Sequence, residues 1–514
     1  MRRRLPLGIQ NFREVREDGC YYVDKTPWIG ELLDRGKYYF LSRPRRFGKS
    51  LLLDTLKELF EGNEPLFRGL AIHDRWDWSV RHPVVKLDFA GGSFGSPERL
   101  DASLAVQLDR IEAATGIERR YDTVPERFGH LIWSLHGRTG QRVAVLVDEY
   151  DKPILDTLAK PELAVAHREA LRGLYGIIKA SDAHLRFAML TGVSKFTKVS
   201  LFSELNNLTD ITLDARYGGI CGYTEEDLDT VFAPELEGLD RERMRDWYNG
   251  YSWGGPERVY NPYGLLRLFD SRKFSGHWFE TGTPKFLVET LVGRGVSSVS
   301  LDGTMSTEDL LSVFDVEEIG TEALLFQTGY LTITGEEMRS SGPSYRLGYP
   351  NREVRQGLNA HLLRQLVKNP VRQRANANRL ETLLESHDCA GLKELFHAFF
   401  ASIPYEWYTR NDIARYEGYY ASVFYSYFAA LGYQVAVEES SNQGRLDMAV
   451  RAGGHVYLFE FKVAELTGPG SALGQLRERD YAAKYRAAGE PIHLVGVEFS
   501  KETRNITAFE VEDA

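Results

Sequence analysis

Ser42-Arg43-Pro44-Arg45-Arg46-Phe47-Gly48-Lys49-Ser50 closes the apolar run Tyr38–Ser42 and leads at once into helical text, Leu51–Phe60. A strand, a loop ending in Gly-Lys-Ser and a helix are the context that a phosphate-binding P-loop requires. Backbone amides along Arg45, Arg46, Phe47 and Gly48, with the helix N-terminus behind them, would face phosphate oxygens. Lys49 would reach the β- and γ-phosphates of ATP, and Ser50 would hold Mg2+. The consensus loop carries a glycine where Arg43 stands. On the loop alone, a basic turn ahead of a helix therefore stays open as an alternative.

Further along, Val143-Ala144-Val145-Leu146-Val147 ends in Asp148-Glu149. An acidic pair at the C-terminal end of a buried strand is the Walker B arrangement. Asp148 would hold Mg2+ through water and Glu149 would orient or deprotonate the attacking water. Ligands gather at the C-terminal ends of strands in open α/β sheets, which agrees with both placements. Val84–Phe89 and Leu185–Leu190 are two more apolar runs separated by amphipathic stretches, as buried parallel strands with helical crossovers require. Thr191, at the end of the last run, is a candidate γ-phosphate sensor. An ordinary strand-end turn explains it equally well.

The bulk properties bound the reading. A chain of 514 residues exceeds one hydrophobic core and predicts about three domains. With 43% hydrophobic and 26% charged residues it reads as globular, not disordered. Three scattered cysteines, Cys20, Cys221 and Cys389, exclude a disulfide framework and a Cys-rich zinc site, and fit a reducing, cytoplasmic setting. The basic start, Met1-Arg2-Arg3-Arg4, has no apolar run behind it, so no secretory signal is expected. No stretch approaches the roughly 18 apolar residues of a membrane span. A net charge of −10 argues against an all-round nucleic-acid-binding surface but leaves room for a local basic groove.

A second constellation lies near the C-terminus. Gly444-Arg445-Leu446-Asp447-Met448-Ala449-Val450 is followed, after a turn, by Val456-Tyr457-Leu458-Phe459-Glu460-Phe461-Lys462. A side-chain period of two puts Glu460 and Lys462 on one face of their strand. Metal-dependent phosphodiester hydrolysis uses such a set: Asp447 and Glu460 as Mg2+ ligands, with Lys462 lowering the cost of hydroxide and of charge on phosphorus. Glu417, on the preceding helix, would add a ligand. Gln475, on the amphipathic stretch Ala472–Tyr485, would contact a phosphate or position water. Glu-x-Lys alone reads as a surface pair on a hairpin, and a lone Gln475 as a solvated helix face.

The chain divides accordingly into residues 1–223, a P-loop NTPase domain; 224–300, a helical subdomain with Gly-, Pro- and Tyr-rich turns; 301–370, a winged-helix-like module; 371–410, a helical connector; and 411–514, the carboxylate-bearing α/β domain. In the last, a helix is expected near Tyr416–Leu431, strands at Val435–Glu438, Leu446–Val450 and Val456–Phe461, and a final strand at His493–Val497.

The chain resembles the bacterial and archaeal family that joins an AAA-ATPase-like domain to a C-terminal nuclease domain of the PD-(D/E)XK superfamily. The matching text is Tyr22-Val23-Asp24-Lys25-Thr26, the loop Leu41–Leu51, Val147-Asp148-Glu149-Tyr150-Asp151, Leu190-Thr191-Gly192, Tyr248-Asn249-Gly250-Tyr251, Tyr260-Asn261-Pro262, Thr328-Gly329-Tyr330-Leu331-Thr332, Pro350–Val354 and the nuclease elements above. In that family the loop without its first glycine looks normal. The resemblance implies an ASCE-type parallel sheet of strand order 5-1-4-3-2, and a nuclease core of a small mixed sheet flanked by helices. It places Asp24 and Lys25 near the nucleotide, or in support of the loop. It also implies a complete nuclease set at Glu417, Asp447, Glu460, Lys462 and Gln475. Its expectation is an ATP- and Mg2+-using enzyme that cleaves DNA in preference to RNA. A nucleotide-switched binding or signalling module with an inert nuclease fold is the alternative. A ring-forming motor is a third, lacking a trans arginine finger, since Arg45 and Arg46 lie in the loop itself. Oligomeric state is left open.

Overall fold

The computed structural model of the chain describes every residue except 1, 93, 159, 196–206, 279–286, 289, 292–293, 295, 297, 299–300, 309–310, 312–319, 341, 368–369, 402–415, 442–443 and 504. For 365–367, 370–374, 416–420, 438–441 and 444–445 it describes the backbone only. The chain forms two compact units, Met1–Gly282 with Thr304–Asn351, and Thr283–Gly303 with Arg352–Ala514.

The first unit is built on β1 (Tyr38–Ser42), β2 (Val84–Asp88), β3 (Val143–Asp148), β4 (Leu185–Gly192) and β5 (Thr209–Asp210). The order is β2-β3-β4-β1-β5 and every pairing is parallel. Counted from the β5 edge this is 5-1-4-3-2, the order that the resemblance implies. β1 and β3 are buried along their whole length, which is why they read as unbroken apolar runs. Because β4 is inserted between β1 and β3, the C-terminal ends of all three strands lie side by side. The helices Lys49–Phe60, Pro97–Thr115, Val124–Thr139 and Pro161–Ala180 supply the crossovers.

The helical segments of residues 225–271 close over their own core of Leu228, Phe232, Met244, Tyr248, Leu265 and Phe269, joined by Tyr21 and Val23. Beyond them, β6 (Met305–Thr307), β7 (Thr332–Arg339) and β8 (Gly342–Gly348) form a small antiparallel sheet in the order β6-β8-β7, with helix Thr321–Thr328 between β6 and β7 in the chain.

The second unit carries β9 (Gln434–Ser441), β10 (Gly444–Ala452), β11 (His455–Val463), β12 (Ile492–Ser500) and β13 (Asn505–Asp513) in the order β13-β12-β11-β10-β9. All pairings are antiparallel except β11 with β12, whose crossover runs through helix Ser471–Glu478. Alternation along β11 separates two layers. Phe459 and Phe461 join the layer of helices Cys389–Phe400 and Tyr416–Ala430, where Phe396 stacks on Phe424 at 3.9 Å. Val456 and Leu458 face the crossover helix through Leu473 and Leu476. β13 lies beyond the last strand expected from the sequence. Among the described residues no helix is long and apolar enough to cross a membrane.

Candidate functional site

The phosphate loop starts where β1 ends. Gly48 has φ +95, a left-handed conformation at which nothing lies within 4 Å of a built Cβ, so the loop is open there. Lys49, 3% exposed, opens helix Lys49–Phe60 and turns its ammonium back onto the carbonyls of Arg43 (2.9 Å) and Pro44 (3.0 Å). These are carbonyl acceptors that an incoming phosphate oxygen can replace. Arg46 is exposed, at φ +66, with its guanidinium 5.0 Å from the Tyr263 ring. Phe47 is buried edge-on against Tyr251 and Trp253, and Trp278 donates its indole N–H to the Arg45 carbonyl at 2.9 Å. Ser50 is half-buried.

Arg43 explains the missing glycine. Its side chain is fully buried and donates to the carbonyls of Ser42 (2.8 Å), Thr212 (2.9 Å) and Tyr217 (3.1 Å), with its guanidinium 4.1 Å from the Trp253 ring. Burial lowers its pKa to about 10, so it remains a cation at neutral pH. The loop is shaped by a buried side chain and not by glycine at that position. The sequence signals the departure; the partners are visible only in three dimensions.

At the ends of the neighbouring strands, Asp148 is 1% exposed and accepts from the Thr191 hydroxyl at 2.8 Å and from the Glu149 amide at 3.1 Å. Thr191 is thus drawn into the acidic pair. Glu149 is half-buried at φ +53, a conformation that costs a non-glycine residue about 1 kcal/mol or more and that the flanking turn must enforce. Asp88, at the end of β2 and in register with Asp148, is a carboxylate that the sequence reading passed over. Burial, and then the charge of Asp148, raise its pKa. Its signal was available: Val84–Asp88 is another apolar run ending in an acid.

Asp24 and Lys25 make scaffold contacts. Asp24 accepts from the amides of Thr26 (2.9 Å) and Ala71 (2.7 Å), and Lys25 pairs with Asp227 at 3.0 Å.

In the second unit, β10 and β11 pair from Met448 opposite Phe459 to Ala452 opposite His455, and Asp447 is the residue just before that run. Alternation along β11 puts Glu460 on the face of Lys462 and of the crossover helix. Glu460 is fully buried; its Oε1 accepts from the Lys462 ammonium at 2.7 Å and, closely, from the Gln475 amide. Asp447 accepts the Phe461 backbone N–H at 2.9 Å. Gly496 on β12 admits the crossover helix, since a Cβ there would come within 2.6 Å of the Leu473 nitrogen. That close approach carries Gln475 to the strand. The structure thus gathers Asp447, Glu460, Lys462 and Gln475. Glu417 lies in the first turn of helix Tyr416–Ala430, and its side chain falls outside the described residues.

The donor chemistry fits Mg2+ and ATP in the first unit: a hydroxyl, a buried carboxylate and an open amide loop ahead of a lysine. In the second, the carboxylates of Asp447 and Glu460 are the oxygen donors that a hard cation takes. Among the described residues no group of three or more His, Cys, Asp or Glu side chains is arranged to hold one.

Comparison with known proteins agrees with both halves. Residues 6–202 match the family described as "Predicted AAA-ATPase", and residues 415–509 match one described as the PD-(D/E)XK nuclease superfamily. An uncharacterized protein from the vnfD 5′ region of Azotobacter chroococcum mcd 1 is 57% identical over 512 residues, covering 99% of each chain. The chain belongs to the family of AAA-ATPase-like proteins that carry a PD-(D/E)XK nuclease-superfamily domain at the C-terminal end.

Proposed function

We propose that the first unit binds and hydrolyses ATP, and that its nucleotide state regulates Mg2+-dependent cleavage of nucleic-acid phosphodiesters, DNA in preference to RNA, by the second unit in the cytoplasm. The observation that carries the reading is that Glu460, a fully buried carboxylate, is met by Lys462 and Gln475, while Asp447 accepts the backbone N–H of Phe461 next to it. A buried carboxylate is costly unless it is paired and hydrogen-bonded, and Lys462 and Gln475 supply both.

The chain's own residues divide the labour. Lys49 leaves the Arg43 and Pro44 carbonyls to neutralise the terminal phosphates, and Ser50 and Asp148 are the side chains that would hold the cation. Glu149 takes the proton of the attacking water, while Thr191 fixes the orientation of Asp148. In the second unit Asp447 and Glu460 would hold the metal. Lys462 stabilises charge on the phosphate oxygens, and Gln475 keeps the Glu460 carboxylate in place. Mg2+, when bound, lowers the pKa of water and polarises the phosphorus centre.

The test is a cleavage panel over single- and double-stranded DNA and RNA, with and without Mg2+ and ATP. Mg2+-dependent cutting of DNA that Asp447→Ala and Glu460→Ala both abolish is expected. A folded, ATP-binding protein that cuts no nucleic acid under any of these conditions would instead be a nucleotide switch with an inert nuclease fold.

A further inference from the structure

Asp151 plays no part in the chemistry above, yet its carboxylate is fully buried and accepts from the Val193 amide (3.0 Å), the Ser194 amide (2.6 Å) and the Ser194 hydroxyl (2.6 Å). Those donors belong to the chain as it leaves β4; the carboxylate belongs to the turn that follows β3. Gly192 leaves room for the contact, since a Cβ there would come within 2.4 Å of Asp151 Oδ1. Two further bonds run the same way: the Tyr150 amide to the Thr191 carbonyl at 3.0 Å, and the Tyr150 hydroxyl to the Ser194 carbonyl at 2.9 Å. Immediately before these tied residues sits Glu149 at φ +53.

We infer that Asp151 is a positioning residue for ATP hydrolysis: by fastening the exit of β4 to the turn after β3, its carboxylate holds Glu149 and Thr191 in working register. The inference rests on the reading that this site hydrolyses ATP. A left-handed glutamate persists only where its neighbours over-determine it, and the pinned residues on its C-terminal side, Tyr150 and Asp151, do so. Without the pin the Glu149 turn relaxes toward ordinary backbone angles and its carboxylate moves away from the water it must reach. The arrangement is tense: burial, then the charge of Glu149, lift the Asp151 carboxyl to about 6 against the bonds from Ser194 that favour its ionised form. The fastening also sets where the chain goes next, because Lys195 donates its amide to Gln327 at 2.9 Å and its ammonium pairs with Asp210 on β5.

The experiment compares the full-length wild type with Asp151→Asn and Ser194→Ala, measuring ATP affinity by titration with a fluorescent ATP analogue, turnover by phosphate release with Mg2+, and thermal unfolding. Misplacing a catalytic group by about 1 Å costs on the order of 100-fold. Turnover is accordingly expected to fall about 100-fold in Asp151→Asn and about tenfold in Ser194→Ala, with ATP affinity within about twofold of wild type. Wild-type turnover in both variants overturns the inference, and so does a parallel loss of affinity and turnover in Ser194→Ala, which would mark a purely structural contact. If Asp151→Asn does not fold, the Ser194→Ala arm decides. A wild type that binds ATP but releases no phosphate sinks the hydrolysis reading itself, a result distinct from active variants.

Discussion

Replacing Arg43 by glycine restores the P-loop consensus, and it is expected to damage this protein. Three carbonyls, of Ser42, Thr212 and Tyr217, lose a charged donor at 2.8–3.1 Å. Bonds to a charged group contribute about 1.5–3 kcal/mol each, and a carbonyl left dry costs about 1–3 kcal/mol. The guanidinium also lies 4.1 Å from the Trp253 ring, a desolvated cation–π contact of about 2 kcal/mol. Against this, removing a buried cation without a carboxylate bonded to it returns several kcal/mol of desolvation, and water can enter the space. Glycine adds backbone freedom to the unfolded chain, about 0.5–1 kcal/mol. With these terms opposed, a loss of about 3 kcal/mol, the upper end of the usual range for one substitution, is expected. In a urea titration followed by tryptophan fluorescence, that loss moves the midpoint of the unit that holds Arg43 down by about 1 M. ATP affinity falls with it, because the Arg43 and Pro44 carbonyls that hold Lys49 are no longer anchored. Arg43→Lys, which keeps the charge but cannot span the three carbonyls, should lie between. A glycine variant with an unshifted midpoint and wild-type ATP affinity would refute the reasoning and show that the loop is shaped elsewhere.

Lys49→Ala removes the main charge partner of the terminal phosphates, and ATP affinity is expected to drop at least about 100-fold, measured by calorimetry. Lys462→Ala is expected to lose cleavage by about 100-fold or more while DNA binding, read by anisotropy, is largely kept; unchanged cleavage would make the lysine structural. Glu465 accepts from the Ser500 hydroxyl at 2.7 Å and the Lys501 amide at 3.1 Å, and the Ser500 bond foremost holds its pKa at about 2. A folded-state value below the unfolded one stabilises at neutral pH and loses that contribution as pH falls from the ordinary glutamate range through 2. Glu465→Gln should therefore flatten the acid limb of the stability curve across that window in a series of denaturant titrations.

What the sequence disclosed follows physical lines. β1 and β3 were legible because strands buried on both faces must be apolar throughout. The nuclease face was legible because Asp447, Glu460 and Lys462 share one hairpin, where a period of two fixes orientation. β5 was not: two residues pair with Tyr39 and Phe40, and nothing local in Thr209-Asp210 announces it. β13 is an edge strand with two of its nine residues buried, and it meets β12 across an irregularity at Glu498/Phe499. Its partial alternation gave a weak signal. The roles of Arg43 and Asp151 depend on partners brought close only by the sheet. Thr191 was read as a phosphate sensor or a plain turn, and its bond to Asp148 shows a contact that neither alternative specified. Gln475 needed the crossover helix before its amide had an address.

A nucleotide loop whose form is stored in a buried arginine acquires its shape late in synthesis. Thr212, Tyr217 and Trp253 leave the ribosome long after residues 42–50, so the segment cannot take its grip while the chain is still short. Competence for ATP is then a certificate that the helical segments beyond β5 have docked, a checkpoint that a self-sufficient glycine turn would not impose. For the same reason the loop cannot be transplanted alone: a graft into another parallel sheet would have to bring those distant carbonyls and the indole with it.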